Sequence, residues 1–418
     1  MVIQVGAARA VIPLDGVLPL NGFGIVHDPL YVRALVLDDG ESRAVLVSID
    51  LTSLGPELIA ETKANSARIA GVTPDDVLVM ASHTFSAPHV LPASAVASNE
   101  MARQAFLVEE IAWAVQRSAS QAVAGLRPVS VRAGVSQTAV GVNRDVETPA
   151  GWWLGADPGG LTNPDLPVLV FEDETGQTVA VIASLAVQSS VTSGVTSPGG
   201  LSPVSSDLAG AAACRLERDG AVVIIATGAA GDQAPRGLSA ESTDVRSLEQ
   251  CFSELDVLGD ELAADLDAAR AAAQPITASP LLIRRSTITL DAQVMPSDIH
   301  SIEPSRHPVF TPDGTTSTSW VTLSLGQVVL VGVQPELSAA SGIALRRASP
   351  FTHTLIMSLT DGAAKYMADT TAYDRITYEA MNSRFRRGAA ERLVDAIVAG
   401  LRATPVIQAN KPEGKLHA

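Results

Sequence analysis

The sequence predicts an α/β fold in which mixed β-sheets are layered with helices. Short apolar runs alternate with helical segments along the chain, which is the pattern of α/β proteins. Hydrophobic residues make up 46% of the chain but aromatic residues only 4%, so we expect a core built mainly from Ala, Val, Leu and Ile. No linker-like composition interrupts the alternation, and we therefore expect one domain over residues 1–418.

Strands are predicted where aliphatic and β-branched residues form short runs that end at turn residues. The first two strands flank an Asp-Asp-Gly-Glu turn at 38–41, and a hairpin is expected around the turn at 172–176. The predicted strands are 32–37, 44–50, 76–82, 128–134, 168–171, 179–187, 221–226, 281–290 and 318–333.

Helices are predicted where apolar or alanine-rich residues follow helical periodicity. The segment 101–124 is rich in Ala, Glu and Gln, and the segment 388–403 is an amphipathic closing helix. The predicted helices are 56–70, 101–124, 207–217, 254–274 and 388–403. Two further segments, 189–205 and 295–317, are expected to be loops long enough to carry function.

The charge balance limits the partners that the protein is expected to bind. The formal net charge is −16, which argues against nucleic-acid binding and against adsorption to anionic lipids. No signal peptide or apolar run of membrane-spanning length is visible, so we expect a cytoplasmic protein that acts on a small molecule. The two cysteines, Cys214 and Cys251, exclude a disulfide-stapled secreted scaffold but leave their own pairing open.

The tyrosines are unevenly distributed along the chain. Three of the four lie within thirteen positions, at Tyr366, Tyr373 and Tyr378, and Glu379 follows the last of them. A phenol can donate a hydrogen bond, stabilise an oxyanion or ligate a metal ion. The cluster therefore indicates either a polar pocket or a tyrosine-rich strand and turn that packs against the core.

Other polar residues follow predicted strands, where α/β enzymes often place their chemistry. His83, Asp232 and Glu336 each come shortly after such a strand. Asp232 ends a Gly-rich turn, which is not a phosphate loop because no Gly-Lys-Ser/Thr follows. Each residue has a structural alternative, as a surface histidine, a turn residue or a carboxylate in the first turn of a helix.

Taken in order, these motifs resemble the neutral/alkaline ceramidase family, and the resemblance spans roughly residues 4–402. It implies the fold of the ceramidase N-terminal catalytic domain, without the immunoglobulin-like C-terminal domain of true ceramidases. The motifs that carry the resemblance are Gly24-Ile-Val-His-Asp-Pro-Leu-Tyr31, Ser48-Ile-Asp50, Ser82-His83-Thr84, Val142-Asn143-Arg144, Ser206-Asp-Leu-Ala-Gly210, Gly228-Ala-Ala-Gly-Asp232, Pro335-Glu336 and the tyrosine cluster.

Members of this family are zinc amidases that cleave the N-acyl bond of ceramide, and two histidines, a glutamate and a tyrosine hold the zinc. The resemblance assigns three of these ligands to His83, Glu336 and Tyr366. Gln188 occupies the position of the second histidine, and its amide oxygen is a poor zinc ligand. Tyr378 matches a tyrosine near the scissile carbonyl, where a phenol would donate to the oxyanion.

Two further positions depart from the family pattern. The family motif His-Thr-His-Ser-Gly-Pro reads His83-Thr-Phe-Ser-Ala-Pro88, so Phe85 stands where the family has a histidine. The family's serine two positions after the Gly-Asp pair, which takes a direct part in the chemistry, is Ala234 here. The resemblance therefore implies a degenerate zinc site that is either re-equipped with other groups or emptied of metal.

Three functions are open on the sequence alone. The first is a hydrolase of a soluble amide or ester in which His83, Glu336 and Tyr366 hold a zinc ion. The second is a metal-free lyase, isomerase or cyclase on the same scaffold, with acid–base side chains that include Asp232. The third is a ligand-binding protein without activity.

The candidate site residues follow from these readings. The catalytic candidates are His83, Asp232, Arg144 and Tyr378. Trp152 and Trp153 serve either as an apolar wall for the substrate or as anchors of an exposed loop. The substrate-binding candidates are Gln188, Phe85, Trp152, Trp153 and Tyr373.

Overall fold

A computed structural model describes residues 3–237, 246–307 and 309–405. Its strands are β1 (Gln4–Val11), β2 (Phe23–Val26), β3 (Tyr31–Asp38), β4 (Arg43–Ile49), β5 (Val77–Ala81), β6 (Arg127–Gln137), β7 (Gly141–Thr148), β8 (Gly151–Asp157), β9 (Asp165–Asp173), β10 (Thr178–Leu185), β11 (Ser202–Val204), β12 (Val222–Thr227), β13 (Gln233–Pro235), β14 (Gln274–Pro275), β15 (Leu281–Gln293), β16 (Pro312–Leu325), β17 (Val328–Val333), β18 (Glu336–Leu337), β19 (His353–Met357) and β20 (Tyr366–Met367). Its helices are α1 (Pro56–Ala70), α2 (Met101–Ala124), α3 (Asp207–Leu216), α4 (Leu248–Ala272), α5 (Ala339–Ala348), α6 (Thr370–Arg375), α7 (Tyr378–Met381) and α8 (Ala389–Arg402).

Two large sheets form the centre of the fold. The first has nine strands in the order β12-β10-β9-β6-β1-β3-β4-β5, with β14 beside β6, and the second has four in the order β15-β16-β17-β19. Most neighbours in the first sheet are antiparallel, whereas the terminal pairs β12–β10 and β4–β5 are parallel. β4 and β12 are almost wholly buried because nearly every residue in them is aliphatic, as expected for strands covered on both faces.

The two sheets pack face to face, and helices cover their outer faces. Leu35, Leu46 and Met80 of the first sheet share one buried cluster with Leu323 and Leu330 of the second. Helices α1 and α2 cover one part of the outer face of the first sheet, and α3 and α4 cover another. Helices α5 and α8 cover the outer face of the second sheet. The predicted layering of mixed sheets with helices is confirmed.

The predicted elements differ from the structure in several places. The run 318–333 forms two strands, β16 and β17, because the chain turns at Gly326, whose φ is 58° and at which a Cβ atom would lie 1.8 Å from the Thr277 oxygen. β16 begins inside the predicted loop 295–317. The strands β1, β7 and β8 were not predicted, and the tyrosine cluster lies on β20, α6 and α7.

The structure also bears on the pairing of the two cysteines and on membrane-spanning helices. Cys214 and Cys251 are both free thiols, so the pairing that the sequence left open does not occur. Among the residues that the structure describes, no helix combines the length and the apolar character needed to cross a membrane.

A buried ion cluster joins the first sheet to the residue that follows α3. Arg33 on β3 donates to Asp50 at 3.1 Å and to both carboxylate oxygens of Glu217 at 2.8 and 3.1 Å. Glu217 also accepts from Arg9 and from the backbone N–H of Val223 at 3.0 Å. A buried charge is costly without its partner, so each member of the cluster depends on the others.

Glu217→Ala is expected to lower the free energy of unfolding by about 3 kcal/mol or more, because it leaves the guanidinium of Arg33 buried with one carboxylate fewer. Urea unfolding followed by circular dichroism measures this change. The matched control is Glu174→Ala, in the exposed turn between β9 and β10, which should cost less than about 0.5 kcal/mol. Equal losses in the two variants would contradict a special role for the cluster.

Candidate active site

His83 lies just after β5 and is fixed by two backbone contacts. Its φ is 62°, a left-handed conformation that is uncommon for a residue other than glycine. Its backbone N–H donates to the Leu51 carbonyl at 3.0 Å, and its Nδ1 lies 2.6 Å from the Thr52 carbonyl oxygen. Because that oxygen can only accept, Nδ1 carries the proton and donates it. Such over-determined backbone strain is typical of functional sites.

His83 forms an ion pair with Glu336. The Nε2 atom of the imidazole lies 3.0 Å from Oε2 of Glu336, and both side chains are buried. Burial alone would lower the pKa of His83 and raise the pKa of Glu336, but the mutual attraction outweighs burial in both groups. The pKa of His83 is therefore raised and that of Glu336 lowered, which favours the charged pair.

Tyr366 is placed next to Glu336 by strand pairing. β18 and β20 run parallel, with Glu336 opposite Tyr366 in the ladder. The backbone N–H of Glu336 donates to the Lys365 carbonyl at 3.0 Å, which fixes the two segments together. Burial raises the pKa of the Tyr366 phenol, so this side chain is a neutral hydroxyl at physiological pH.

Gln188 connects the His83–Glu336 pair to Arg144. Its Nε2 donates to Oε2 of Glu336 at 2.7 Å, and its Oε1 accepts from Nη1 of Arg144 at 2.7 Å. The side chain is buried, with a residue exposure of 1%. Both ends of the amide are therefore committed to neighbouring side chains.

Arg144 on β7 also binds Glu379 at the start of α7. Its Nε and Nη2 lie 2.7 and 2.6 Å from Oε1 of Glu379. Its guanidinium carbon lies 5.3 Å from the ring centre of Tyr366 and 6.0 Å from that of Tyr378. One cation therefore joins the amide, the carboxylate and two aromatic rings.

Asp145 and Glu379 form a buried pair of carboxyl groups. They are 6% and 3% exposed, and they lie close enough for the charge of Glu379 to act on Asp145. In the described part of the chain, Oδ1 of Asp145 and Oε2 of Glu379 find no hydrogen-bond donor. Burial, followed by the charge of Glu379, raises the pKa of Asp145 to about 10. Asp145 therefore keeps its proton near neutral pH.

The carboxyl pair faces a cavity of about 300 Å³. Asp232 also lines it, and its Oδ1 accepts from the backbone N–H of Ala339 at the start of α5, at 2.8 Å. Burial raises the pKa of Asp232 to about 6. Trp152 and Leu161 add apolar surface to the lining. The cavity thus combines an apolar wall with several titratable carboxyl groups, as substrate pockets do.

Some of the other predicted site residues line this cavity, and others do not. In the described part of the chain, Glu336 and Tyr366 reach the lining, whereas His83, Gln188 and Arg144 lie outside it. His83, Gln188 and Arg144 belong to the same hydrogen-bonded chain as Glu336. The structure therefore brings His83, Arg144 and Glu336 together in one network. The side chain of Tyr378 instead binds Asn382, and within the described residues it does not line the cavity.

Most of the predicted substrate contacts pack against other residues. Phe85 meets the His83 ring edge-on with centroids 4.6 Å apart, and Trp153 meets Tyr378 edge-on at 5.7 Å. Tyr373 is buried, and its hydroxyl donates to the Phe385 carbonyl.

In the part of the chain that the structure describes, most of the residues predicted to contact the substrate do not line the cavity. Of the five binding candidates, Trp152 is the one that lines the cavity as far as the structure describes the chain. Tyr373, on α6, turns its side chain into the fold, where its phenol finds a backbone acceptor. Its proximity to the other tyrosines in sequence does not translate into a place in the cavity.

Sequence reasoning missed Asp145 as an active-site candidate and did not assign a role to Glu379. Asp145 directly follows the Asn143-Arg144 motif, and Glu379 directly follows Tyr378. An acidic residue inside the apolar-flanked run Val142-Asn-Arg-Asp-Val146 was a usable signal, because charged residues are rarely buried unless they are paired.

Two of the side chains that the resemblance assigns to zinc, His83 and Glu336, are already hydrogen-bonded to each other. His83 and Gln188 both contact Oε2 of Glu336. Within residues 3–237, 246–307 and 309–405, no group of three or more His, Cys, Asp and Glu side chains is arranged to hold a metal ion. Ala234 lies on β13, where it pairs with Val142.

The fold has been seen in solved structures of ceramidases. No family model matches the sequence, and no curated protein matches it. A structure described as ceramidase complexed with C2 superposes with a TM-score of 0.75 at 17% identity, over 98% of this chain and 77% of the other. Neutral ceramidase from Pseudomonas aeruginosa superposes with a TM-score of 0.74 at 19% identity, over 99% of this chain and 77% of the other. The resemblance read from the sequence is confirmed at the level of the fold, and this chain has the fold of neutral ceramidase.

Proposed function

We propose that the chain is a hydrolase that cleaves an amide or ester bond of a small molecule in the cavity beside Asp145, and that it needs no zinc ion. The fold shared with ceramidases supports hydrolysis. The observation that carries the proposal is the buried Asp145–Glu379 pair, in which Asp145 keeps its proton at the cavity wall. A carboxyl group that keeps its proton beside a second carboxyl group can supply an acid and a base at once.

The pair can perform hydrolysis as a closed cycle of proton transfers. Ionised Glu379 takes a proton from the attacking water, and Asp145 gives its proton to the carbonyl oxygen as charge develops there. When the tetrahedral intermediate collapses, Glu379 returns its proton to the leaving nitrogen or oxygen, and the carbon–heteroatom bond breaks. Asp145 regains a proton from the hydroxyl that becomes the new carbonyl. Both side chains end in their starting states.

Arg144 acts as a positioning residue in this scheme. Its guanidinium binds Oε1 of Glu379 and holds that carboxylate in place. Tyr378, whose hydroxyl accepts from Asn382 at 3.1 Å, keeps its own proton free for donation. As far as the structure describes the chain, Tyr378 does not line the cavity, so the predicted donation to the oxyanion is not part of this scheme.

The donor chemistry supports a site that functions without zinc. Gln188 replaces an imidazole, and its oxygen is taken by Arg144, so a dication there would meet a guanidinium at close range. Tyr366 would have to ionise to bind zinc well, and burial raises the pKa of its phenol. The residues present do not fit a zinc ion, and no step above passes through one.

Asp145→Asn and Glu379→Gln are each expected to lower kcat by about 10²–10⁴-fold, the usual contribution of a general acid or base. Release of product from a panel of N-acyl amines and esters measures the rate, with EDTA present throughout. Glu174→Gln, in an exposed turn, is the matched control. Full activity in either active-site variant, or its loss on chelation in wild type, would overturn the scheme.

Turnover in H₂¹⁸O separates hydrolysis from the other acid–base reactions open to this scaffold. Hydrolysis should place one ¹⁸O atom in the released acid, as mass spectrometry would show. A lyase, isomerase or cyclase would form its product without taking up the label.

Asp145→Asn is expected to stabilise the protein increasingly as pH rises. The pKa of Asp145 is about 10 in the fold and about 4 in an unfolded chain, so between these values only the folded state keeps the proton. The contribution of this group to stability is full below about pH 4 and is lost as pH rises toward 10. Asparagine cannot ionise and so escapes this loss. Urea unfolding at several pH values should show that the free energy of unfolding of the variant exceeds that of the wild type by a margin that grows with pH. A gain that does not change with pH would count against the raised pKa.

The double change Gln188→His with Phe85→His is expected to raise zinc content, because imidazole is a far better zinc ligand than an amide oxygen or a phenyl ring. Both positions contact His83 or its partner Glu336. Elemental analysis of protein purified without a polyhistidine tag gives zinc per chain. Stoichiometric zinc in the wild type would contradict the metal-free proposal directly.

A further inference from the structure

We propose that the substrate of this cavity carries a cationic amino group. The inference rests on the proposed function and names the substrate class for that same site.

The cavity lining is strongly acidic. A single side chain with a positive charge, Arg375, lies in the lining formed by the described residues. The guanidinium of Arg375 is stacked over Trp152, with its carbon 4.3 Å from the ring centre. The carboxyl groups in the lining are Asp145, Asp157, Asp232, Glu336, Asp369 and Glu379.

Two of these six carboxyl groups have a cationic partner within the protein. Glu336 pairs with His83, and Glu379 pairs with Arg144. Asp145 keeps its proton near neutral pH, and Asp157, Asp232 and Asp369 form no ion pair within the described residues. The cavity is therefore more negative than its own cations can balance, and a bound cation would relieve the repulsion.

Several carboxylate oxygens are available to a ligand. Oδ1 of Asp157 accepts the Gly159 N–H at 2.9 Å, and Oδ1 of Asp369 caps α6 by accepting the Thr371 N–H at 2.8 Å. The second oxygen of each carboxylate is not needed for these contacts. An ammonium group has three N–H donors, which suits two such oxygens on one cavity wall.

Asp145 gives an independent indication of a missing donor. It is 6% exposed and lines the cavity, yet its Oδ1 has no donor among the described residues. Even with the proton of Asp145, the Asp145–Glu379 pair presents more acceptor lone pairs than donors. Beside it, Trp152 and Leu161 add apolar surface to the lining. The cavity therefore selects a compound with a donor-rich cation and an apolar portion.

Matched six-carbon probes test the inference without turnover. Hexylamine, 1-hexanol and hexanoate differ in charge but hardly in length, and calorimetry at low ionic strength gives their affinities for the wild-type chain. Hexylamine should bind at least about tenfold tighter than the other two, the effect of one hydrogen bond between charged groups. Equal affinities, or a preference for hexanoate, would overturn the inference.

Two variants locate the cation. Asp157→Asn and Asp369→Asn keep the oxygen that accepts the backbone N–H and remove one charge, so each should weaken hexylamine binding about two- to fivefold. The affinity for 1-hexanol should stay constant in both. The matched control is Asp374→Asn, on the exposed side of α6 and paired with Arg387. Unchanged hexylamine affinity in both cavity variants would overturn this placement.

The outcome separates the inference from the proposed function. Loss of activity in Asp145→Asn together with no preference for hexylamine would leave the hydrolase in place and reject the cationic substrate. Calcium or magnesium chloride that binds more tightly than hexylamine and displaces it would identify a divalent-cation site and would also reject it. Preference for hexylamine with no hydrolysis of any amide or ester would reject the hydrolase alone.

Discussion

The guanidinium of Arg144 is the contact on which the organisation of the site depends. On one side it binds the amide of Gln188, which in turn binds Glu336 and thereby reaches His83. On the other side it binds Glu379, whose charge contributes to the raised pKa of Asp145. A buried cation with such partners fixes the charge of each neighbour, because moving any one of them would leave an uncompensated charge in a medium of low polarity.

The fold brings these groups together through the ends of short strands. Arg144 and Asp145 lie on β7, which joins β13 and β8 in a small sheet apart from the two large ones. Glu336 and Tyr366 come from the two-stranded pair β18–β20. Polar side chains thus gather where apolar strands end, while the faces of the large sheets stay reserved for the core.

Much of the architecture was predictable because buried strands such as β4 and β12 are continuous aliphatic runs. The turn at Gly326 was missed although Gly326-Gln327 interrupts the segment 318–333, because an isolated glycine in a strand pattern also marks a bulge. At the site, motif order led to His83, Arg144, Glu336 and Tyr366. Motif order could not show that the Tyr373 side chain packs inside the fold whereas Tyr366 reaches the cavity. The direction in which the Tyr373 side chain turns is set by the packing of α6.

The carboxyl pair escaped prediction for a related reason. The chemistry of Asp145 comes from burial beside a second carboxyl group 234 positions away, and burial is a property of the folded state. An aspartate in an isolated strand has an ordinary pKa, which rises only when another segment of the chain buries the carboxyl group. The sequence resemblance directed attention to metal ligands instead, which lie on the other side of Arg144.

The packing of the two large sheets against each other has a consequence for how the protein responds to ligands. The side chains of the site come from segments before, between and after the strands of both sheets, from His83 to Glu379. No partial structure that keeps only one sheet can therefore retain the site. Occupancy of the cavity should tie the two halves of the molecule into one cooperative unit, so that a bound compound protects amides in both sheets from exchange with solvent.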